Sequence, residues 1–129
     1  RTSPRMAEAV AEGAPLERMS MTSDGTGSRP DFDTDGNMTG LSGAGFETVP
    51  REFAGLIEVE KLDIPTALSP ITTNPARMLG LATRKGQIKV GHDADILVLD
   101  DALAPDSVIA RGKPAMIGKE RLLRGTFEA

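Results

Sequence analysis

The stretch "SDGTGSRPDFDTDGNMTG", residues 23–40, gathers aspartates, glycines and hydroxyls into one short segment. A carboxylate can ligate a metal, take up a proton or accept backbone N–H groups in a turn. Asp31, Asp33 and Asp35 stand at alternate positions, and Gly36 follows. That is the opening of a calcium loop, and Met38 even supplies the apolar residue expected at its eighth position. The twelfth position holds Ser42, where a bidentate Glu belongs, and the flanks carry Arg29-Pro30 and Gly43-Ala44-Gly45 rather than helices. The alternative is an acidic, turn-rich surface loop. Asp24 is set apart from these three. It follows the apolar-polar run Met19-Ser20-Met21-Thr22 and precedes Gly25 and Gly27, whose missing side chains let a ligand approach the backbone. Strand-end aspartates are structural as often as they are catalytic, so residue type alone leaves its role open.

The remaining candidates are fewer. His92 is the single histidine and cannot by itself form a histidine-rich metal site. It falls in "VGHDADILV", a turn between two β segments, where an exposed imidazole is expected. Asp93 and Asp95 flank Ala94 in that turn, and we expect them to accept backbone N–H groups there.

The elements that must position these side chains can be read from periodicity. Residues 6–12 are good helix formers and end at Gly13. Met19 to Thr22 is a short strand candidate, and the chain from 25 to 45, without periodicity, is expected to be one long loop. Phe46, Val49, Phe53, Leu56 and Ile57 mark one face of a helix, with Thr48 as its cap and Pro50 in its first turn. Ile64 to Leu68 reads as a further helical turn. Asn74 as N-cap, Pro75 at the first position and Gly80 as stop predict a short helix over 75–79. Beyond Gly80 the period falls to two. Ile88 with Val90, Ile96 to Leu99, Val108 to Ala110, Ala115 to Ile117 and Leu122 with Leu123 are expected as short strands joined by glycine turns.

Bulk properties exclude several classes. The 129 residues suit one domain of ordinary size, and a net charge of −4 argues against a nucleic-acid binder. There is no apolar run long enough to span a membrane and no secretory signal pattern in this stretch. The absence of cysteine removes disulfides and thiolate metal sites and fits a cytoplasmic protein. The chain opens on Arg1 rather than Met, so a portion of a longer product is expected. Four Phe, with no Tyr or Trp, beside 14 Gly and 9 Pro suggest a chain that builds its own core inefficiently.

Several words of the sequence occur in a recognisable order: "TSDGTGS" at 22–28, "AGFET" at 44–48, "NPARMLGL" at 74–81, "KGQIKVGHDADILVLD" at 85–100, "VIARGK" at 108–113 and "RGTFE" at 124–128. Together they resemble the C-terminal part of bacterial isoaspartyl dipeptidases of the amidohydrolase superfamily. The "NPA…LGL" and "KGxIxxGxDADxxVxD" words resemble the superfamily at large, whereas "SDGxGS", "GFET" and "GTFE" resemble the isoaspartyl branch.

The resemblance implies an α/β fold: a C-terminal fragment of a (β/α)8 TIM-like metallo-dependent hydrolase barrel over residues 1–80, and C-terminal strands of a small β-sandwich domain over 81–129. It implies a pair of zinc ions in the full-length enzyme, a β-aspartyl dipeptide as substrate and a homo-oligomeric full-length form. Asp24 corresponds to the aspartate after the last barrel strand, a zinc ligand that takes a proton from the attacking hydroxide and passes it to the leaving amine. Ser28 corresponds to a substrate-binding serine. The family's metal histidines and its bridging lysine have no counterpart here, and one carboxylate cannot hold two zinc ions. The fragment alone is therefore expected to be inactive. Two rival readings stand beside this one: another amidohydrolase, of the deacetylase or dihydroorotase type, and a non-catalytic binding or assembly module derived from such an enzyme.

Overall fold

The computed structural model describes residues 2–43 and 45–124. The "GTFE" word and Ala44 of "AGFET" lie outside the described residues. The chain is mixed α/β. Helix α1 (Ser3–Ala11) and a 3-10 turn (Leu16–Arg18) lead to a hairpin of β1 (Ser28–Phe32) and β2 (Met38–Gly43). Helices α2 (Thr48–Glu58) and α3 (Ile64–Leu68) follow, then a 3-10 turn (Ser69–Ile71) and α4 (Thr73–Met78). The last part is an antiparallel meander of β3 (Ile96–Leu99), β4 (Pro105–Ala110), β5 (Lys113–Ile117) and β6 (Glu120–Arg121), in spatial order β3-β4-β5-β6.

The apolar stripe of α2 does what its spacing predicts. Leu56 and Phe53 are buried and meet Ala67 of α3 and Met21, with Met6 of α1, Ile71 and Leu99 of β3 packed around them. The fully buried set among the described residues is small, as the aromatic scarcity led us to expect. Asp63 caps α3: its carboxylate accepts the backbone N–H of Thr66 at 3.0 Å and the Thr66 hydroxyl at 2.7 Å. Gly80 ends α4 in the left-handed region (φ +70), and the Leu81 N–H donates back to the Ala76 carbonyl at 2.7 Å.

Six expectations need correction. The segment 25–45 is not a loop but contains the β1–β2 hairpin, in register Ser28↔Gly43 to Phe32↔Met38. Met19 to Thr22 has no ladder partner among the described residues; its hold is the Met21 N–H, which donates to the Pro70 carbonyl at 3.0 Å. Thr48 does not cap α2: it is the helix's first residue, and its hydroxyl donates to the Gly45 carbonyl at 3.1 Å. Asn74 is not an N-cap but lies inside the first turn of α4. Ile88 and Val90 alternate as a strand would, yet join no ladder among the described residues and stand 86% and 99% exposed. Toward the end of the described residues, Glu120 and Arg121 rather than Leu122 and Leu123 form the final strand among them, and the N–H groups of Leu122 and Leu123 both donate to the Ala115 carbonyl.

Candidate active site

Asp24 sits on the turn between the unpaired Met19–Thr22 segment and β1. Its backbone is in the left-handed region (φ 50), and so is that of Thr26 (φ 69). A β-branched residue there is a true outlier, and each such position costs on the order of 1–3 kcal/mol, which surrounding structure must hold in place. Two hydroxyls help: Ser23 Oγ accepts the Gly25 N–H at 3.1 Å, and Thr22 Oγ1 accepts the Asp24 N–H at 3.4 Å. The Gly27 N–H closes the turn onto the Asp24 carbonyl at 2.9 Å.

The two glycines of "SDGTGS" each make room for something definite. A β-carbon on Gly27 would lie 2.8 Å from Asp24 Oδ2, so the carboxylate folds over that glycine. A β-carbon on Gly25 would lie 2.3 Å from Phe46 Cε1, so the Phe46 ring rests on the backbone beside Asp24. Phe46 of the "GFET" word is itself exposed. "SDGTGS" and "GFET" are thus brought together by the hairpin that separates them in sequence. Asp24 is exposed, and its carboxylate accepts no hydrogen bond among the described residues. Ser28 opens β1, exposed, and its hydroxyl makes no hydrogen bond among the described residues, to Asp24 or otherwise. The pair shares one turn, with both polar groups free for an outside ligand.

The other three aspartates do not converge. Asp33 Oδ1 accepts the N–H groups of Asp35 at 3.0 Å and Asn37 at 2.8 Å. The bonds from Asn37 above all hold its carboxyl below the ordinary aspartate range. Asp31 accepts the Ser42 hydroxyl at 2.9 Å across the hairpin. Asp33 is thus the turn of the hairpin and Asp31 a cross-strand tie. These are the roles of a turn-rich surface segment rather than of a calcium loop.

The "KGQIKVGHDAD" word makes an ionic clamp. Asp93 Oδ2 accepts from Arg84 Nη2 at 2.6 Å and lies 3.0 Å from Lys85 Nζ, and the Lys85 ammonium also binds Asp95 Oδ2. The Arg84 and Lys85 contacts hold the Asp93 carboxyl down at about 2. Asp95 Oδ1 accepts the Arg111 N–H at 2.7 Å, tying the β4–β5 turn to the same cluster. Asp95 thus accepts a backbone N–H, but from the β4–β5 turn rather than from its own as expected, and Asp93 takes side-chain donors instead. His92 is half-buried rather than exposed, and its buried Nδ1 has no partner among the described residues. Gly86 (φ +84) seals the joint: a β-carbon there would lie 2.7 Å from Ala76 Cβ and 2.8 Å from the Thr72 carbonyl oxygen. The "NPA" and "KG" words are in van der Waals contact.

A metal centre needs several ligands aimed at one point. Among the described residues no three His, Cys, Asp or Glu side chains converge in that way. Among the described residues the candidate donors do not by themselves fit a zinc site. No helix among the described residues is long and apolar enough to cross a membrane.

The sequence pattern of the amidohydrolase family matches residues 18–116, which include Asp24, the hairpin and the clamp. The chain belongs to the amidohydrolase family. Among solved structures, this amidohydrolase chain is similar to a β-aspartyl dipeptidase from Fervidobacterium islandicum AW-1 in complex with a β-Asp-Leu dipeptide. The identity is 32% and the TM-score 0.80, over 97% of this chain and 33% of that one. An N-acetylglucosamine-6-phosphate deacetylase from Pasteurella multocida shares the fold at 12% identity and TM-score 0.64, over 87% of this chain and 33% of that one. By sequence, a Bos taurus N-acetylglucosamine-6-phosphate deacetylase is 40% identical over 65 residues, 49% of this chain and 15% of the relative. The amidohydrolase chain thus spans about a third of those structures and less of the bovine relative.

Phe46 escaped sequence reasoning: its spacing places it on a helix face, although its neighbour Gly45 and the glycines at 25 and 27 signal close backbone approach.

Proposed function

We propose that this chain is the C-terminal portion of a zinc-dependent β-aspartyl dipeptidase. Residues 1–80 supply the last barrel strand and helices, and residues 81–129 supply strands of the small β domain. The zinc ions would draw their other ligands from residues outside this chain. Asp24 accepts the proton of the water that attacks the β-aspartyl amide and hands it to the departing amine, so the amide C–N bond breaks as an acid and an amine form. Ser28 donates a hydrogen bond to the substrate. The observation that carries this reading is the strained turn at Asp24, which holds an exposed carboxylate with no donor among the described residues, over Gly27 and beside Phe46. The 32% identity to a β-aspartyl dipeptidase over nearly the whole chain supports that substrate class.

The test is kcat on β-Asp-Leu for the complete protein that carries these residues. Asp24→Asn keeps the shape but cannot take a proton, so kcat should fall by at least roughly 10²-fold, the lower end for a general acid–base group. Asp31→Asn, Asp33→Asn and Asp35→Asn should each change it by less than about tenfold on that scale. Near-full activity in Asp24→Asn would remove the proposed role.

A second reading has its own support in the 40% identity to a deacetylase over 65 residues. Under that reading the complete protein would release acetate from N-acetylglucosamine 6-phosphate and leave β-Asp-Leu intact. Supplying both substrates to the same preparation separates the two, and turnover of neither would favour a non-catalytic module.

A further inference from the structure

We infer that Asn74 is a positioning residue that sets the aim of Asp24 through the backbone of Leu16 to Met21. The inference rests on the catalytic reading of Asp24 given above. Asn74 is 1% exposed, and its side-chain amide is fully used. Nδ2 donates to the Leu16 carbonyl at 2.7 Å and to the Met19 carbonyl at 2.9 Å, and Oδ1 accepts from Arg77 Nη2 at 2.8 Å. Both carbonyls can only accept, and the guanidinium can only donate, so the amide has one orientation that satisfies all three.

Apart from the Met21 side chain, which is buried in the core, the segment it grips is held by few contacts of its own backbone among the described residues. Leu16 to Arg18 is a single 3-10 turn, and the run from Met19 to Thr22 lacks a ladder partner among the described residues. Its other non-local backbone hydrogen bond is the one from Met21 to Pro70, just upstream of α4. Asp24 lies five residues beyond Met19, on a strained turn. A shift at Met19 is therefore carried forward to the carboxylate. A misplacement of about 1 Å at a reacting group can lower the rate roughly 10²-fold. Asn74 makes no hydrogen bond to Asp24 or Ser28 among the described residues, so it acts through the chain it holds.

The variant that tests this is Asn74→Asp in the complete protein. It has the same size, but an ionised carboxylate cannot donate to the two carbonyls. The expected result is a kcat on β-Asp-Leu lower by about tenfold to 10²-fold per folded molecule, with KM changed by less than about threefold. Amide exchange at residues 22–27 should also accelerate. A purely structural Asn74 would lower the melting temperature and leave kcat per folded molecule within about twofold of the parent, and that outcome overturns the inference. If Asn74→Asp fails to fold, Asn74→Ser, which keeps one donor, takes its place with the same readouts. Asp24→Asn is run alongside. Should it stay active, the catalytic reading falls, and unchanged exchange at 22–27 in the Asn74 variant then decides against the positioning role independently.

Discussion

The Glu52 carboxylate, halfway along α2, accepts the backbone N–H of Ser3 at 2.8 Å. It also accepts that of Thr2 at 2.9 Å, so a side chain from one helix satisfies the free donors at the start of another. Thr2 supplies no cap of its own. Gly55, one turn on, lets the helices close: a β-carbon there would lie 3.0 Å from Ser3 Oγ.

Glu52→Ala should therefore destabilise by more than a surface substitution. The buried N–H of Ser3 and the partly buried N–H of Thr2 lose their acceptor, and leaving a buried donor unpaired costs about 1–3 kcal/mol. Glu52→Gln keeps an acceptor oxygen and should cost less. Burial raises the Glu52 carboxyl, but the bonds from Ser3 and Thr2 together outweigh it and leave the group below its ordinary value. Its contribution is thus present above the unfolded value of 4.5 and is lost as pH falls through the folded one. Denaturant midpoints of both variants and the parent at pH 7 and pH 4 measure this; equal midpoints for Glu52→Ala and parent at pH 7 would contradict it.

The Asp93 clamp predicts a second acid-side loss. With its folded carboxyl at about 2 against an ordinary 3.8, Asp93 stabilises fully above 3.8, and that contribution disappears as pH falls toward 2. Lys85 is shifted the other way by Asp95 and then Asp93, so its contribution is intact below 10.5 and is lost only above that. Asp93→Asn should lower the melting temperature at neutral pH. It should also flatten the parent's decline between pH 4 and 2, an interval scanned by circular dichroism.

Gly86→Ala should be costly for two reasons at once. The backbone there has φ +84, and the new methyl would press on Ala76 and the Thr72 carbonyl. A left-handed residue and an overpacked contact together amount to roughly 2–5 kcal/mol. Gly112→Ala, with φ +77 but nothing within 4 Å, should show the backbone part alone. Equal losses in the two variants would mean that the contact with α4 contributes nothing.

Residues 1–129 expressed alone should bind no stoichiometric zinc and hydrolyse no β-aspartyl dipeptide, because no three candidate ligands converge among the described residues. Metal analysis beside a turnover assay checks both halves of this expectation.

Helices were the legible part of the fold. The spacing of Phe53, Leu56 and Ile57 marks a buried stripe, and the structure buries Phe53 and Leu56. The hairpin was not legible, because glycines and aspartates break its alternation. Yet Asp35-Gly36 between Phe32 and Met38 is a turn signal flanked by apolar residues, and it identifies the hairpin in retrospect. Ile88 and Val90 show the converse: alternation describes a chain able to pair, and pairing needs a neighbour. At the candidate site, Asp24 stood out by its place after an apolar run and before two glycines. Its strained backbone and the ring of Phe46 depend on φ angles and on contacts across the hairpin, which residue type does not encode.

The clamp that joins Arg84 and Lys85 to Asp93 and Asp95, with Gly86 seated on Ala76, links the end of α4 to the start of the meander. It grips scaffold and touches no candidate catalytic group. Changes at the exposed hairpin residues Met38, Thr39 and Leu41 should therefore leave that joint intact, whereas changes within 74–95 should part the helices from the meander.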